Sequence, residues 1–143
     1  MMSGVTSTPR RWRVVLAAGL GLVLTAPARA PAQADQPATA AVVTMTDRLT
    51  FEPRRLTIAA GESVMWKNTS LLVHTVTGDP GKATLPTSAA LPEGADAFDS
   101  GLLETDQTFE HTFTVPGTYR YFCVPHEGAS MVGEIVVKAP GAD

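Results

Sequence analysis

The stretch GTYRYFCVPHEGASMVG, residues 117–133, decides how this sequence is interpreted. Tyr119 and Tyr121 alternate with polar residues in its first half, which is typical of a β-strand with one buried face. Three soft or nitrogen donors then follow within nine residues, namely Cys123, His126 and Met131. Two sulfur donors and an imidazole suit copper, whereas calcium and magnesium prefer oxygen ligands. The sequence therefore predicts a copper site where this strand ends.

A trigonal copper site needs a second imidazole, and the chain contains three histidines in all. His74 stands in an apolar setting at the head of a predicted strand, so we take it as the fourth candidate ligand. His111 shares the core face of another predicted strand with Phe109 and Phe113, so we interpret it as structural. Each candidate taken singly has a more ordinary interpretation, as a buried cysteine, a surface histidine or a core methionine. Their combination at this spacing favours a metal site.

Short runs rich in Val, Thr, Phe and Tyr, separated by Gly, Pro and Asp, predict an all-β domain. Seven strands are expected, at residues 41–46, 55–58, 63–68, 74–77, 108–114, 118–123 and 133–138. Seven such strands without a convincing helix indicate a β-sandwich or a barrel. One long connection, residues 78–101, has little periodicity, and connections of that length are usually functional or poorly ordered. A lone cysteine excludes a disulfide framework.

Four segments match the pattern of a known family, namely residues 61–64, the region around His74, residues 117–126 and residues 131–133. In these segments the chain resembles the plastocyanin family of blue copper proteins, the cupredoxins. The resemblance covers roughly residues 50–138. The spacing of Cys123, His126 and Met131 is similar to that of plastocyanins, whereas residues 63–68 are more similar to amicyanins.

This resemblance implies a cupredoxin-like Greek-key β-sandwich of seven to eight strands. It also implies one type 1 copper that alternates between Cu(I) and Cu(II). The equatorial ligands would be His74, Cys123 and His126, with Met131 as the weak axial ligand. The implied role is that of a one-electron carrier and not of an enzyme.

Two positions depart from the family pattern. Thr75 follows the first ligand histidine, where the family usually has an asparagine that ties the two ligand loops together. Phe122 precedes Cys123, where plastocyanins of photosynthesis commonly have a tyrosine. The first departure affects the hydrogen bonds around the ligands. The second means that a photosynthetic role is not implied.

The charge distribution bears on the partners. The chain has 11 basic and 14 acidic residues, and residues 1–34 carry four arginines and no acidic residue. The remainder therefore has a net charge of −7, which repels nucleic acid and anionic lipid. We expect a monomer that makes transient contacts with a cationic redox protein, such as a basic cytochrome or a copper or haem oxidoreductase.

The amino-terminal sequence has the pattern of a secretory signal. Arginines at positions 10, 11 and 13 precede an uncharged apolar stretch, residues 14–24, which is too short to span a bilayer. Small residues at two sites permit cleavage, and cleavage after Ala34 is preferred. We predict a signal peptide at residues 1–34, a flexible tether at 35–40 and a copper-binding domain at 41–143, in an exported, periplasmic or extracytoplasmic protein without a stable membrane anchor. Export by the general or the twin-arginine route stays open, and an uncleaved anchor is the weaker alternative.

Three other functions are weighed against electron transfer. A copper carrier could use the same ligands with exchangeable metal. A catalytic copper protein is disfavoured, because two imidazoles, a thiolate and a thioether leave no open coordination position. A binding module without metal would keep the fold alone. Residues 68–70 also match a glycosylation acceptor, a pattern that is common by chance.

Overall fold

The computed structural model describes residues 40–141, so the predicted signal peptide and all but the last residue of the predicted tether lie outside the described part. The strands found there are β1 Ala41–Met45, β2 Phe51–Glu52, β3 Arg55–Ala59, β4 Ser63–Asn68, β5 Thr77–Gly78, β6 Phe98–Asp99, β7 Thr108–Thr112, β8 Gly117–Phe122 and β9 Val132–Lys138. Two short 3₁₀ segments, Pro80–Lys82 and Val124–Ala129, complete the regular structure. Among residues 40–141, none of the helical segments has the length and apolar character needed to cross a bilayer.

The strands form two sheets, with orders β2-β1-β4-β7 and β3-β9-β8-β5-β6. Each sheet is mixed, because β1 pairs in parallel with β4 and β3 pairs in parallel with β9. In β4, Val64, Trp66 and Asn68 are buried, whereas the residues between them are partly exposed. This alternation places one face of the sheet against the core. The prediction of an all-β sandwich is confirmed.

The predicted strand count was wrong, because the described residues contain nine strands instead of seven or eight. The two that the sequence did not indicate, β2 and β6, have two residues each, which is too short for a period of two to be recognised. The strand predicted at 74–77 is also shorter than expected. The strand in that region is β5, Thr77–Gly78, and His74 lies before it and forms an isolated bridge with Leu103.

Aromatic rings fill the space between the sheets. Trp66 is fully buried and meets the ring of Tyr121 edge-on, with 5.3 Å between the centroids. Burying one such ring removes about 150–250 Å² from water, worth roughly 4–6 kcal/mol before the entropy cost of ordering it. His111 stacks on Phe98 at 4.5 Å and meets Phe113 edge-on at 4.7 Å. Its packing among aromatic side chains agrees with the structural role predicted for it.

The long connection predicted at residues 78–101 begins at the end of β5, includes β6 and is attached to the five-stranded sheet at more than one point. Ala90 exchanges two backbone hydrogen bonds with Arg120 of β8, at 3.1 and 2.8 Å. Its last residues form β6, which pairs with β5. This connection is therefore hydrogen-bonded into the five-stranded sheet.

Candidate metal centre

The structure brings three of the four predicted ligands together at one end of the sandwich. His74 lies between β4 and β5, Cys123 directly follows β8, and His126 lies in the 3₁₀ segment Val124–Ala129. The Cys123 Sγ is 3.6 Å from the His74 Nδ1 and 3.3 Å from the His126 Nδ1, and the two Nδ1 atoms are 3.2 Å apart. His74 and Cys123 are fully buried, whereas His126 is partly exposed.

These separations fit a single metal ion. Nitrogen and sulfur donors bind a first-row ion such as zinc at about 2.0 and 2.3 Å, so donors that share one ion lie about 3 to 4 Å apart. A thiolate and two imidazoles are also the equatorial set of blue copper sites. Both the distances and the chemistry of the donors therefore fit copper.

A hydrogen bond on the far side of the ring selects the donor atom of His74. Its Nε2 lies 2.9 Å from the Ser70 hydroxyl, so an N–H at Nε2 donates outward and leaves the lone pair of Nδ1 facing the cluster. The Ser70 hydroxyl in turn bonds to the Asn68 Oδ1 at 2.8 Å. Asn68 has no exposed surface, which excludes the glycosylation interpretation of residues 68–70.

Met131 is held beside the other candidates by the backbone. The Cys123 N–H donates to the Met131 carbonyl at 3.0 Å, and the Met131 N–H donates to the His126 carbonyl at 3.3 Å. The Met131 side chain is fully buried in the same core cluster as Cys123. The chain thus leaves Cys123, passes through His126 and returns to the backbone of Cys123 at Met131.

Burial controls the protonation of two donors. It raises the pKa of the Cys123 thiol, against the opposing effect of hydrogen bonds from the backbone N–H groups of Thr75 and His126. It also lowers the pKa of His74, with a further lowering by the charge of His126 and a smaller opposing effect of Asp47. A neutral His74 is the form that binds a metal, and binding at Cys123 has to release the thiol proton.

Thr75 connects the two segments that carry the ligands. Its N–H donates to the Cys123 Sγ at 3.3 Å, and its hydroxyl accepts from the Val124 N–H at 2.8 Å. In the family pattern this position usually holds an asparagine that ties the two ligand loops together. Here the threonine hydroxyl makes the link between the loops, and its position directly after His74 was the signal for it in the sequence.

A further residue near the site was not indicated by the sequence. Glu127, between His126 and Met131, is 7 % exposed, and its carboxylate accepts from the N–H groups of Thr84 at 3.1 Å and Leu85 at 2.8 Å. The Leu85 N–H is the main reason why the pKa of Glu127 lies below its usual range, and partial burial opposes it. Because these partners are distant in the chain, the spacing of the ligands gave no sign of them.

The surface near His126 is apolar. Six exposed apolar side chains lie in the segments next to the ligand candidates. Three precede His74, two lie between Cys123 and His126, and one precedes Leu103; in that order they are Leu71, Leu72, Val73, Val124, Pro125 and Leu102. Leu71 is 85 % and Leu102 is 70 % exposed. Leu71 and Leu72 are exposed in the segment before His74, and Pro125 is exposed directly before His126. Val132 is only partly exposed and lines a neighbouring cleft with Arg54 and Ser130.

Comparisons with known proteins agree with this geometry. Residues 38–138 match the family model of copper binding proteins, plastocyanin/azurin family. The chain is 36 % identical over 96 residues to the chloroplastic plastocyanin minor isoform of Arabidopsis thaliana, covering 63 % of this chain and 52 % of that protein. It is 35 % identical over 95 residues to plastocyanin of Lactuca sativa, covering 62 % and 88 %. The chain thus spans about half the length of the first of these relatives.

Solved structures give the same result. An oxidised amicyanin variant superimposes with a TM-score of 0.54 at 28 % identity, covering 69 % of this chain and 82 % of amicyanin. A reduced amicyanin variant gives a TM-score of 0.55 at 26 % identity, covering 74 % and 87 %. The cupredoxin-like sandwich that the sequence predicted is therefore confirmed. With its His74, Cys123 and His126 cluster fitting the type 1 copper of such proteins, this chain belongs to the plastocyanin/azurin family of copper binding proteins.

Proposed function

We propose that this protein is a small exported carrier of single electrons that uses one type 1 copper. His74, Cys123 and His126 would hold the ion, with the Met131 thioether as a weaker fourth donor. The observation that carries the proposal is the meeting of one sulfur and two nitrogen donors within 3.2 to 3.6 Å of one another. Copper bound there supplies a one-electron Cu(I)/Cu(II) couple.

The protein's own contribution is to keep the donors in place. Ser70 fixes the ring of His74, and Thr75 fixes the relative position of the two ligand segments. Two sheets support these loops from below. Donors that move little between two oxidation states favour fast electron transfer. A set of four protein ligands also leaves no open position for a substrate, which supports a carrier over an enzyme.

The apolar surface at His126 supports docking of a redox partner. Of the three clustered donors His126 is the one that is partly exposed, and Leu71 and Pro125 are exposed in the segments that carry His74 and His126. Transient redox contacts are small, so a few exposed apolar side chains around a ligand ring suffice. The net charge of −7 beyond residue 34 favours a cationic partner, such as a basic cytochrome or a copper or haem oxidoreductase.

The signal pattern supports an extracytoplasmic location. We propose that residues 1–34 are removed on export, that residues 35–40 form a tether and that residues 41–143 form the copper-binding domain. The relatives from Arabidopsis thaliana and Oryza sativa are chloroplastic by name. Periplasmic or other extracytoplasmic export of this chain rests on its own arginines and apolar stretch.

Electron exchange with a basic cytochrome tests the function. We expect the reduced, copper-loaded protein to pass one electron to the oxidised cytochrome as Cu(I) becomes Cu(II). When a chemical reductant such as ascorbate restores Cu(I), the transfer should repeat and the protein should keep its copper. Raising the ionic strength from 0.01 to 0.15 M shortens the Debye length from about 30 to about 8 Å, so the rate in stopped-flow measurements should fall about tenfold. Copper lost in each cycle would support a copper carrier instead. A rate that does not change with salt would rule out electrostatic steering.

The axial role of Met131 has a separate test. In Met131→Leu the buried volume is nearly kept but the thioether donor is lost, which disfavours Cu(II) more than Cu(I). We expect the blue colour to persist and the reduction potential to rise by an amount on the order of 59 mV, a tenfold shift in the one-electron equilibrium. Voltammetry of both proteins measures this. A lower potential in the variant would mean that Met131 is not a ligand.

A further inference from the structure

The long connection, residues 78–101, begins at the end of β5, includes β6 and contacts both segments that carry the ligands. Near its end, Ser100 binds the segment that follows His74, because the Val76 N–H donates to the Ser100 Oγ at 2.8 Å and the Ser100 N–H donates to the Val76 carbonyl at 3.1 Å. Asp99 accepts a hydrogen bond from the Thr77 hydroxyl at 2.9 Å. This end of the connection therefore fixes the approach of the chain to β5.

Near its start, the same connection binds the loop that carries His126. The N–H groups of Thr84 and Leu85 donate to the two different carboxylate oxygens of Glu127, at 3.1 and 2.8 Å. A carboxylate that accepts from two consecutive backbone N–H groups holds its own position as well as theirs, because both oxygens are engaged. Glu127 directly follows His126, so a constraint on its side chain is also a constraint on the ring beside it.

The ligand loop has contacts that hold its ends. At its beginning, the Val124 N–H binds the Thr75 hydroxyl, and across its neck the Cys123 N–H binds the Met131 carbonyl. Between these ends, the Glu127 carboxylate attaches the loop to a segment outside it, at Thr84 and Leu85. Its carboxylate needs no metal to make these hydrogen bonds, so it holds the middle of the loop in the metal-free protein as well.

We propose that Glu127 is a positioning residue of the metal site, which pins the His126 loop to residues 84–85 so that the donors are arranged before the ion arrives. This inference rests on the proposed copper site and names what maintains it. It also gives the long connection a role, as a strap joined to the segment after His74 at one end and to the segment of His126 at the other.

Affinity measurements on three variants test this proposal. Cu(I) affinity is measured by competition with a chromogenic chelator, for the wild type, Glu127→Ala, Glu127→Gln and the control Glu93→Ala. Glu93 is exposed and lies in the same connection. Loss of an outer partner of a metal ligand typically costs about 10- to 100-fold in affinity, which we expect for Glu127→Ala. Glu127→Gln should lose less, because its amide oxygen still accepts one N–H. Glu93→Ala should match the wild type.

Amide hydrogen exchange in the metal-free protein provides a second measurement that does not depend on copper binding. The N–H groups of Thr84 and Leu85 should be protected, and Glu127→Gln should reduce the protection of at least one of them. Unprotected amides in the wild type, or wild-type affinity in Glu127→Ala, would overturn the proposal. If the proposed copper site itself were wrong, the wild type would bind copper without a thiolate absorption band. That result is distinct from an unchanged affinity in Glu127→Ala, which would contradict only the role of Glu127.

Discussion

Cys123→Ser is expected to remove the blue colour of the copper-loaded protein completely. The colour of a type 1 site arises from charge transfer between a thiolate and Cu(II), and the chain contains a single cysteine. A serine hydroxyl at the same position keeps the size of the side chain but offers no soft anionic donor. Absorption and electron paramagnetic resonance spectra of the two copper-loaded proteins measure the effect.

The folding of that variant has to be checked, because Cys123 is fully buried and its Sγ accepts a hydrogen bond from Thr75. A serine oxygen can accept the same bond, so circular dichroism should show an unchanged β-sheet spectrum. Thr75→Ser, which keeps the hydroxyl that binds the Val124 N–H, is the matched control and should stay blue. A blue Cys123→Ser protein would refute the assignment of the thiolate.

His74→Ala is expected to weaken copper binding by at least about 100-fold, since it removes one of three strong donors, whereas loss of an outer partner alone typically costs 10- to 100-fold. The matched control is His111→Ala. His111 is packed against Phe98 and Phe113 and is not among the three donors that cluster. Its loss should lower thermal stability and leave copper affinity near that of the wild type.

Competition with a chelator and thermal unfolding separate these two effects. His74→Ala should show the large loss in affinity. His111→Ala should lower the stability of the metal-free protein, because it leaves a gap beside two aromatic rings, without a comparable loss of affinity. Equal losses of copper affinity in the two variants would mean that the wrong histidine was chosen.

The ligand candidates could be predicted from the sequence because their signal is local. Cys123, His126 and Met131 are brought together by one loop after one strand, and the loop can be read directly from the chain. His74 is distant in sequence, and it was found only because a copper site requires a second imidazole. His111 was not chosen as that imidazole, because strand alternation placed it on the core face.

The interactions that support the ligands could not be predicted in the same way. The partners of Glu127 are backbone N–H groups of Thr84 and Leu85, which any residue type other than proline could supply. The hydroxyl of Thr75 bonds to another backbone N–H, that of Val124. Contacts of this kind leave no mark in the composition of the partner segment. They become visible only when the fold brings the two segments together.

The outline of the sheets was predicted where alternation extends over five or more residues. β4 was predicted with its actual bounds, Ser63–Asn68, because buried and partly exposed side chains alternate along it without interruption. β2 and β6 have two residues each, and their pairing depends on the neighbouring strands β1 and β5. Pairing of this kind is set by tertiary contacts, since intrinsic strand preference is weak over so few residues.

X-ray absorption spectroscopy at the copper edge tests the central claim most directly. The copper-loaded wild type is predicted to show one short sulfur neighbour and two nitrogen neighbours in its first coordination shell, as expected for Cys123, His74 and His126. A shell of oxygen and nitrogen atoms without sulfur, or with a single imidazole, would contradict the account.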